Sequence, residues 1–125
     1  MENSAELLLR STALCSWLPP EGVEMFQNCF DLEAVRLRAG ETLDCAGRLG
    51  LVLSGELMCG EDALGPGELL GAVRDEAGRP RPVPVTVLAR QSSEIALWDS
   101  AVLTSVCYRA CWFHGRFVQE VGARL

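Results

Sequence analysis

Three side chains near the C-terminus have the types and spacing to do chemistry. Cys107, Cys111 and His114 stand at i, i+4 and i+7, so one helix running through them would set two thiols and an imidazole on a common face. Two thiolates and a neutral imidazole can ligate zinc or an iron–sulfur cluster, provided the face is open and a fourth ligand approaches. The alternative is packing. Small thiols at helical spacing then lie beneath the domain as apolar residues, His114 sits partly exposed at the helix surface, and no metal is expected. His114 is the single histidine of the chain and has no acidic neighbour in sequence to orient its ring. A nucleophile with a base, or a matched carboxylate pair, is therefore missing, and the expectation is a protein that is not an enzyme and carries no cofactor.

The rest of the chain bounds what could position these groups. With 125 residues, 49% of them hydrophobic, there is room for one domain with a real core and too little for two. Asp and Glu outnumber Lys and Arg 17 to 11, the net charge is −6, and the basic residues are scattered singly. Such a surface cannot by itself hold DNA, whose affinity rests on cations neutralising phosphates. The opening Met1-Glu2-Asn3-Ser4-Ala5-Glu6 carries acids where a secretory leader carries bases, and no apolar stretch nears the roughly 20 residues a membrane span needs. A soluble cytoplasmic protein without membrane contact is expected, its six cysteines (Cys15, Cys29, Cys45, Cys59, Cys107, Cys111) reduced and packed as small hydrophobes.

Periodicity divides the chain into three stretches. From about 3 to 28, apolar positions at helical spacing, interrupted by Pro19-Pro20, predict a cap of short helices, the second beginning at Pro20, where a missing N–H is harmless. From about 30 to 98 the pattern becomes short apolar or alternating runs: 33–37, 49–53, 56–59, 83–89 and 93–97. Between them lie turns at Gly40, Gly47, Gly55, Gly65-Pro66-Gly67 and Gly78. Many short strands at this spacing predict an antiparallel sandwich or jelly-roll barrel. From about 99 to 125 the pattern returns to helix, with Asp99 or Ser100 as a cap and Phe113, Phe117 and Val121 four apart on one stripe. Gly115 and Gly122 each weaken that last helix by about 1 kcal/mol relative to alanine, so it needs a surface to pack on. Trp17, Trp98 and Trp112 read as core or edge-packing residues.

The order of these elements, and the residues within them, resemble a known domain. Arg38-Ala39-Gly40-Glu41-Thr42-Leu43, Gly47, Leu51-Val52-Leu53-Ser54-Gly55-Glu56-Leu57 and Leu64-Gly65-Pro66-Gly67-Glu68-Leu69-Leu70-Gly71 follow one another as the glycine-turn motifs of the cyclic-nucleotide-binding domain do. Val83–Ala89 and Leu103–His114 are similar to a group of Crp/Fnr-type transcription regulators from anaerobic bacteria. The resemblance implies a mainly β domain: an antiparallel jelly-roll barrel (double-stranded β-helix) with N-terminal helices and a C-terminal dimerisation helix, a single sensor domain over 1–125. It further implies a homodimer paired through Phe113, Phe117 and Val121, and DNA contact only through a helix-turn-helix domain that these residues do not include.

It also implies a ligand site, and here the match is degenerate. The family holds the cyclic phosphate with an Arg, the ribose with a Glu, and the phosphate again with N–H groups of a short glycine-bearing helix. Gly71 matches the glycine, but Ala72 stands at the Glu position and Val83 at the Arg position, with Arg81 nearby. Around them, Leu69, Leu70, Val85 and Thr86 complete the expected pocket. A buried phosphate without cation or sugar acceptor is heavily penalised, so cyclic AMP is not the expected ligand. Two readings stay open: a closed core, with the pocket filled by Leu69, Leu70, Val83 and Val85, or a site for a different, more apolar small-molecule effector. Two further functions stay beside the regulator domain: a stand-alone ligand-binding or interaction protein of the same fold, and a redox or metal sensor acting through Cys107, Cys111 and His114. The Met58–Leu64 segment is shorter than the family's hairpin at that place.

Overall fold

The computed structural model of the protein describes residues 3–105 and 112–125. Two helices open it, α1 (Asn3–Ser11) and α2 (Pro20–Phe30). In α1, Ala5 and Leu9 point inward at i and i+4 while Leu7 is exposed. Pro20 sits in the first turn of α2, where its absent N–H is no loss. The helix stops at Asp31, whose left-handed backbone (φ 53°) turns the chain so that the Leu32 N–H reaches the Phe26 carbonyl at 3.3 Å.

Among the described residues, ten short strands follow: β1 (Glu33–Leu37), β2 (Thr42–Asp44), β3 (Arg48–Ser54), β4 (Leu57–Cys59), β5 (Asp62–Leu64), β6 (Leu69–Leu70), β7 (Ala72–Arg74), β8 (Pro80–Pro82), β9 (Thr86–Ala89) and β10 (Ser93–Asp99). They form two four-stranded sheets, ordered β1-β10-β3-β6 and β2-β9-β4-β5, and a separate β7-β8 hairpin. Every pairing is antiparallel. Helices α3 (Ala101–Thr104) and α4 (Trp112–Arg124) close the chain. The Asp99 carboxylate, not Ser100, caps α3, accepting the Ala101 N–H at 2.9 Å.

The first sheet is covered on both faces, which is why β3 reads as an unbroken apolar run instead of an alternation. Leu49, Leu51 and Leu53 of β3, with Ala96 and Trp98 of β10, join Leu9, Leu14, Leu18, Val23, Phe26, Val102, Phe117 and Val121 in a helix-facing core. The opposite face points between the sheets. There Leu37, Val52, Leu70, Ile95 and Leu97 meet Leu57, Val87 and Ala89 from the second sheet and Cys45, which follows β2 directly. The second sheet is wet on its outer face, and β9 accordingly alternates exposed and buried residues from Thr86 to Ala89.

Two local differences from the sequence expectation have plain causes. The 83–89 run begins its strand only at Thr86, since Pro84 has no N–H to give a ladder. The segment 72–82, in which 74–80 reads from sequence as a loop around the Gly78 turn, is a hairpin closed by an Asp75 turn: Asp75 Oδ1 accepts the Ala77 and Arg79 N–H groups at 2.9 and 2.8 Å, and Gly78 supplies the left-handed residue (φ 80°).

Candidate functional site

The expected pocket residues lie along one short stretch of chain but do not converge. Leu70 on β6 and Val85, just before β9, face the space between the sheets. Leu69 and Ala72 turn the other way and pack on the helix-facing core. Val83 is half-buried, while Arg81 on β8 and Thr86 on β9 are exposed. Of the four side chains expected to fill the space, Leu70 and Val85 face it, Leu69 packs on the helix-facing core and Val83 is half-buried.

Backbone geometry explains why this segment folds as it does. Leu70 leans on Gly50 of β3, where a Cβ would stand 2.7 Å from its Cγ and Cδ1. Gly71 has φ 87°, and a Cβ there would collide with the Arg48 carbonyl oxygen, so only glycine fits. From Gly71 the chain leaves the two main sheets as β7, returns as β8, and is pinned at its base by the Val83 N–H donating to the Gly71 carbonyl at 2.9 Å. Residues 69–86 thus contain two strands of a hairpin and no helix.

The space between the sheets is aliphatic. Val52, Leu57, Val87, Ala89, Ile95 and Leu97 are all buried there, with Val35, Leu43, Cys59 and Leu64 packed around them. Among the described residues, the one titratable side chain fully buried in this cluster, Cys45, is a neutral thiol: burial, reinforced by Asp44 and Cys59 and opposed by Arg48, pushes its pKa up to about 11. Burial likewise pushes Cys15, in the helix-facing core, up to about 12, against the opposing effects of Thr12 and Arg124. Neither thiol is poised as a nucleophile or ligand at neutral pH. Cys29 is exposed and Cys59 half-buried, and all four are unbridged.

The Cys107–Cys111–His114 cluster lies only partly within view, since Cys107 and Cys111 fall outside the described residues. His114 is buried, not partly exposed as the packing alternative expected. Its Nε2 sits 2.6 Å from the Val102 carbonyl and its ring lies 4.9 Å from Phe30. That nitrogen is engaged as a donor and is not available to a metal in this arrangement. Among the described residues, no group of three or more potential ligands could hold a metal ion.

The apolar stripe of α4 also differs from expectation. Phe117 and Val121, expected to face a second copy, are fully buried inside the chain, and Phe113 packs against the same core. The Phe117 ring stands 4.8 Å from Phe26 and 5.0 Å from Trp98. The stripe was legible as buried; what it is buried against was not, because a helical period does not name its partner. What the sequence reading missed is the hairpin's grip on this helix. Arg74 donates from Nε and Nη2 to the Gly122 carbonyl at 3.2 and 2.6 Å. The signal for the hairpin was present in Asp75-Glu76-Ala77-Gly78, a turn sequence between two extended segments.

No family model and no curated protein matches the sequence. Solved structures do. A protein assigned to cyclic nucleotide binding from Geobacter metallireducens GS-15 superposes with a TM-score of 0.66 at 16% identity, covering 99% of this chain and 96% of that one. The N-terminal domain of a transcriptional regulator from Streptomyces coelicolor A3(2) gives 0.59 at 20% identity, covering 94% and 89%. A second protein assigned to cyclic nucleotide binding, from Ruegeria pomeroyi DSS-3, gives 0.60 at 21% identity; 98% of this chain is covered, but it spans only 59% of that longer protein. The chain has the cyclic-nucleotide-binding-domain fold: antiparallel jelly-roll sheets flanked by helices. Among the described residues no helix is long and apolar enough to cross a membrane.

Proposed function

We propose that this chain is the regulatory effector domain of a Crp/Fnr-type transcription regulator, and one that does not respond to cyclic AMP. The observation that carries the second half is the hairpin at residues 72–82, where the family resemblance expects a short helix offering N–H groups to a phosphate. Without that helix end, with Arg81 exposed and with Leu70, Val85 and Val87 in the intervening space, a cyclic phosphate would be buried among aliphatic side chains, at a prohibitive desolvation cost. The regulatory half is supported by the fold, which the regulator domain from Streptomyces coelicolor shares, and by the placement of α4 on the helix-facing side of the main sheet. Pairing of two copies belongs to the proposal. With Phe117 and Val121 turned inward, the face left for a twin is the exposed one bearing Trp112, Arg116, Gln119 and Ala123.

Two measurements test this. Thermal unfolding with 1 mM cyclic AMP or cyclic GMP is expected to leave Tm unchanged. A ligand at about 100 times its Kd would stabilise the fold by about 2.7 kcal/mol, so a rise of several degrees overturns the ligand half. The product of the complete reading frame, mixed with its own upstream DNA at low salt, is expected to retard that DNA in a gel. Failure to bind overturns the transcription-regulator half and favours a stand-alone interaction protein.

A further inference from the structure

We infer that the β7-β8 hairpin is a latch that holds the last turn of α4, so that whatever displaces one releases the other. The inference rests on geometry outside the space between the sheets and does not depend on what binds there. The Gly122 carbonyl belongs to the last four of α4, which have no N–H partner within the helix. Both the Nε and Nη2 donors of Arg74 are spent on it, a cation placed at the negative end of a helix. The hairpin lies against the helix at Gly122, where a Cβ would stand in ordinary contact, 3.5 Å from Pro80 Cδ and 3.6 Å from the Gly78 carbonyl oxygen, so the approach does not require glycine. From the other side of the same turn, Arg124 reaches the Ala13 carbonyl between α1 and α2 at 3.1 Å. Two guanidinium groups on two elements thus hold one helix end between hairpin and cap.

The hairpin is built to act as a unit. Its tip is braced by the Asp75 turn and by the Asp75 N–H donating to the Arg79 carbonyl at 2.8 Å, and its base by Val83 on Gly71. Arg74 also borders an open cleft on the hairpin, lined by Asp75, Glu76, Ala77 and Arg81. An anionic group taking Arg74 from that side competes directly with the Gly122 carbonyl and opens the latch.

Amide hydrogen exchange on the whole chain tests this, comparing the parent with Arg74→Ala and, as a control removing the same charge from the same hairpin, Arg79→Ala. Arg74→Ala is expected to speed exchange about three- to tenfold both in the hairpin tip (75–79) and in the last turn of α4 (119–124), leaving β3 and β10 unchanged. Arg79→Ala is expected to leave α4 as in the parent. Acceleration confined to the hairpin, no acceleration at all, or an equal effect from Arg79→Ala would each overturn the latch.

Discussion

The two faces of the β1-β10-β3-β6 sheet are packed by different kinds of side chain. On the helix side, Phe26, Trp98 and Phe117 form a mutual aromatic contact, with centroids 4.8, 5.0 and 6.4 Å apart. On the other side, the buried residues among those described are Leu, Val, Ile, Ala and one Cys. Rings have few rotamers and strongly preferred mutual geometries, so they fix the position of the helix that carries them. Branched aliphatics fill space without prescribing an orientation, and they relax more readily around a loss. In a fold whose solved examples include cyclic-nucleotide-binding proteins, the space between the sheets is thus the adaptable region here and the helix layer the specified one. The difference also separates the two faces of β10, where Ile95 and Leu97 belong to one region and Ala96 and Trp98 to the other.

The sharpest way to break this contrast is Phe117→Ala. The ring is fully buried and touches both other aromatics, so its removal is expected to cost about 3–5 kcal/mol in urea unfolding, with faster amide exchange along α4. A loss below about 2 kcal/mol would mean that the aromatic layer does not hold the helix. The companion change in the other region, Leu57→Ala, is expected to cost about 2–3 kcal/mol, the lower part of the usual range for a buried leucine, and to leave exchange in α4 unaltered. The cavity so made is apolar, and benzene is expected to raise Tm of the Leu57→Ala protein but not of the parent. A parent that gains stability from benzene would instead mean that the space between the sheets already holds a ligand site.

How far the sequence could be read follows the same divide. Strands β3 and β10 were legible as apolar runs, since burial on two faces leaves an unbroken signal, and the flanking helices were legible from their spacing. The β7-β8 hairpin was legible only at its Asp75–Gly78 turn, because its strands carry Pro80, Pro82 and charged residues that read as loop and draw their stability from a two-strand pairing and a distant helix end. Among the expected site residues, Gly71 is expected as the glycine of a ligand site, and the backbone supplies a reason of its own for glycine there: no other residue fits beneath the Arg48 carbonyl. Leu69 and Leu70 could not be assigned to opposite cores, because a strand of two residues has no periodicity to read. His114 was placed at the surface because its partner, the Val102 carbonyl, is a backbone group that no residue type announces.

Among the described residues each region contains one buried thiol, and this allows the comparison to be made by pH alone. Cys15 lies in the helix layer and Cys45 between the sheets, with pKa values pushed up to about 12 and about 11 from an ordinary value near 9. A raised pKa in the folded state favours the neutral thiol there. Its contribution is fully present below about pH 9 and is lost as pH rises, when the unfolded chain ionises and the folded one does not. That loss stops near pH 11 for Cys45 and near pH 12 for Cys15. All eleven cations of this chain are arginines, so no lysine titrates in that window. At pH 10 each buried thiol is expected to lower stability by about 1 kcal/mol relative to pH 8. Urea midpoints measured from pH 8 to pH 10 should therefore fall less steeply in Cys15→Ala and in Cys45→Ala than in the parent, whatever each substitution costs at pH 8. Above pH 11 only the parent and Cys45→Ala, which keep the Cys15 thiol, should continue to lose stability on its account. Slopes unchanged by either substitution would show that these thiols are more hydrated than their burial implies, and the two regions would then be equally open to water.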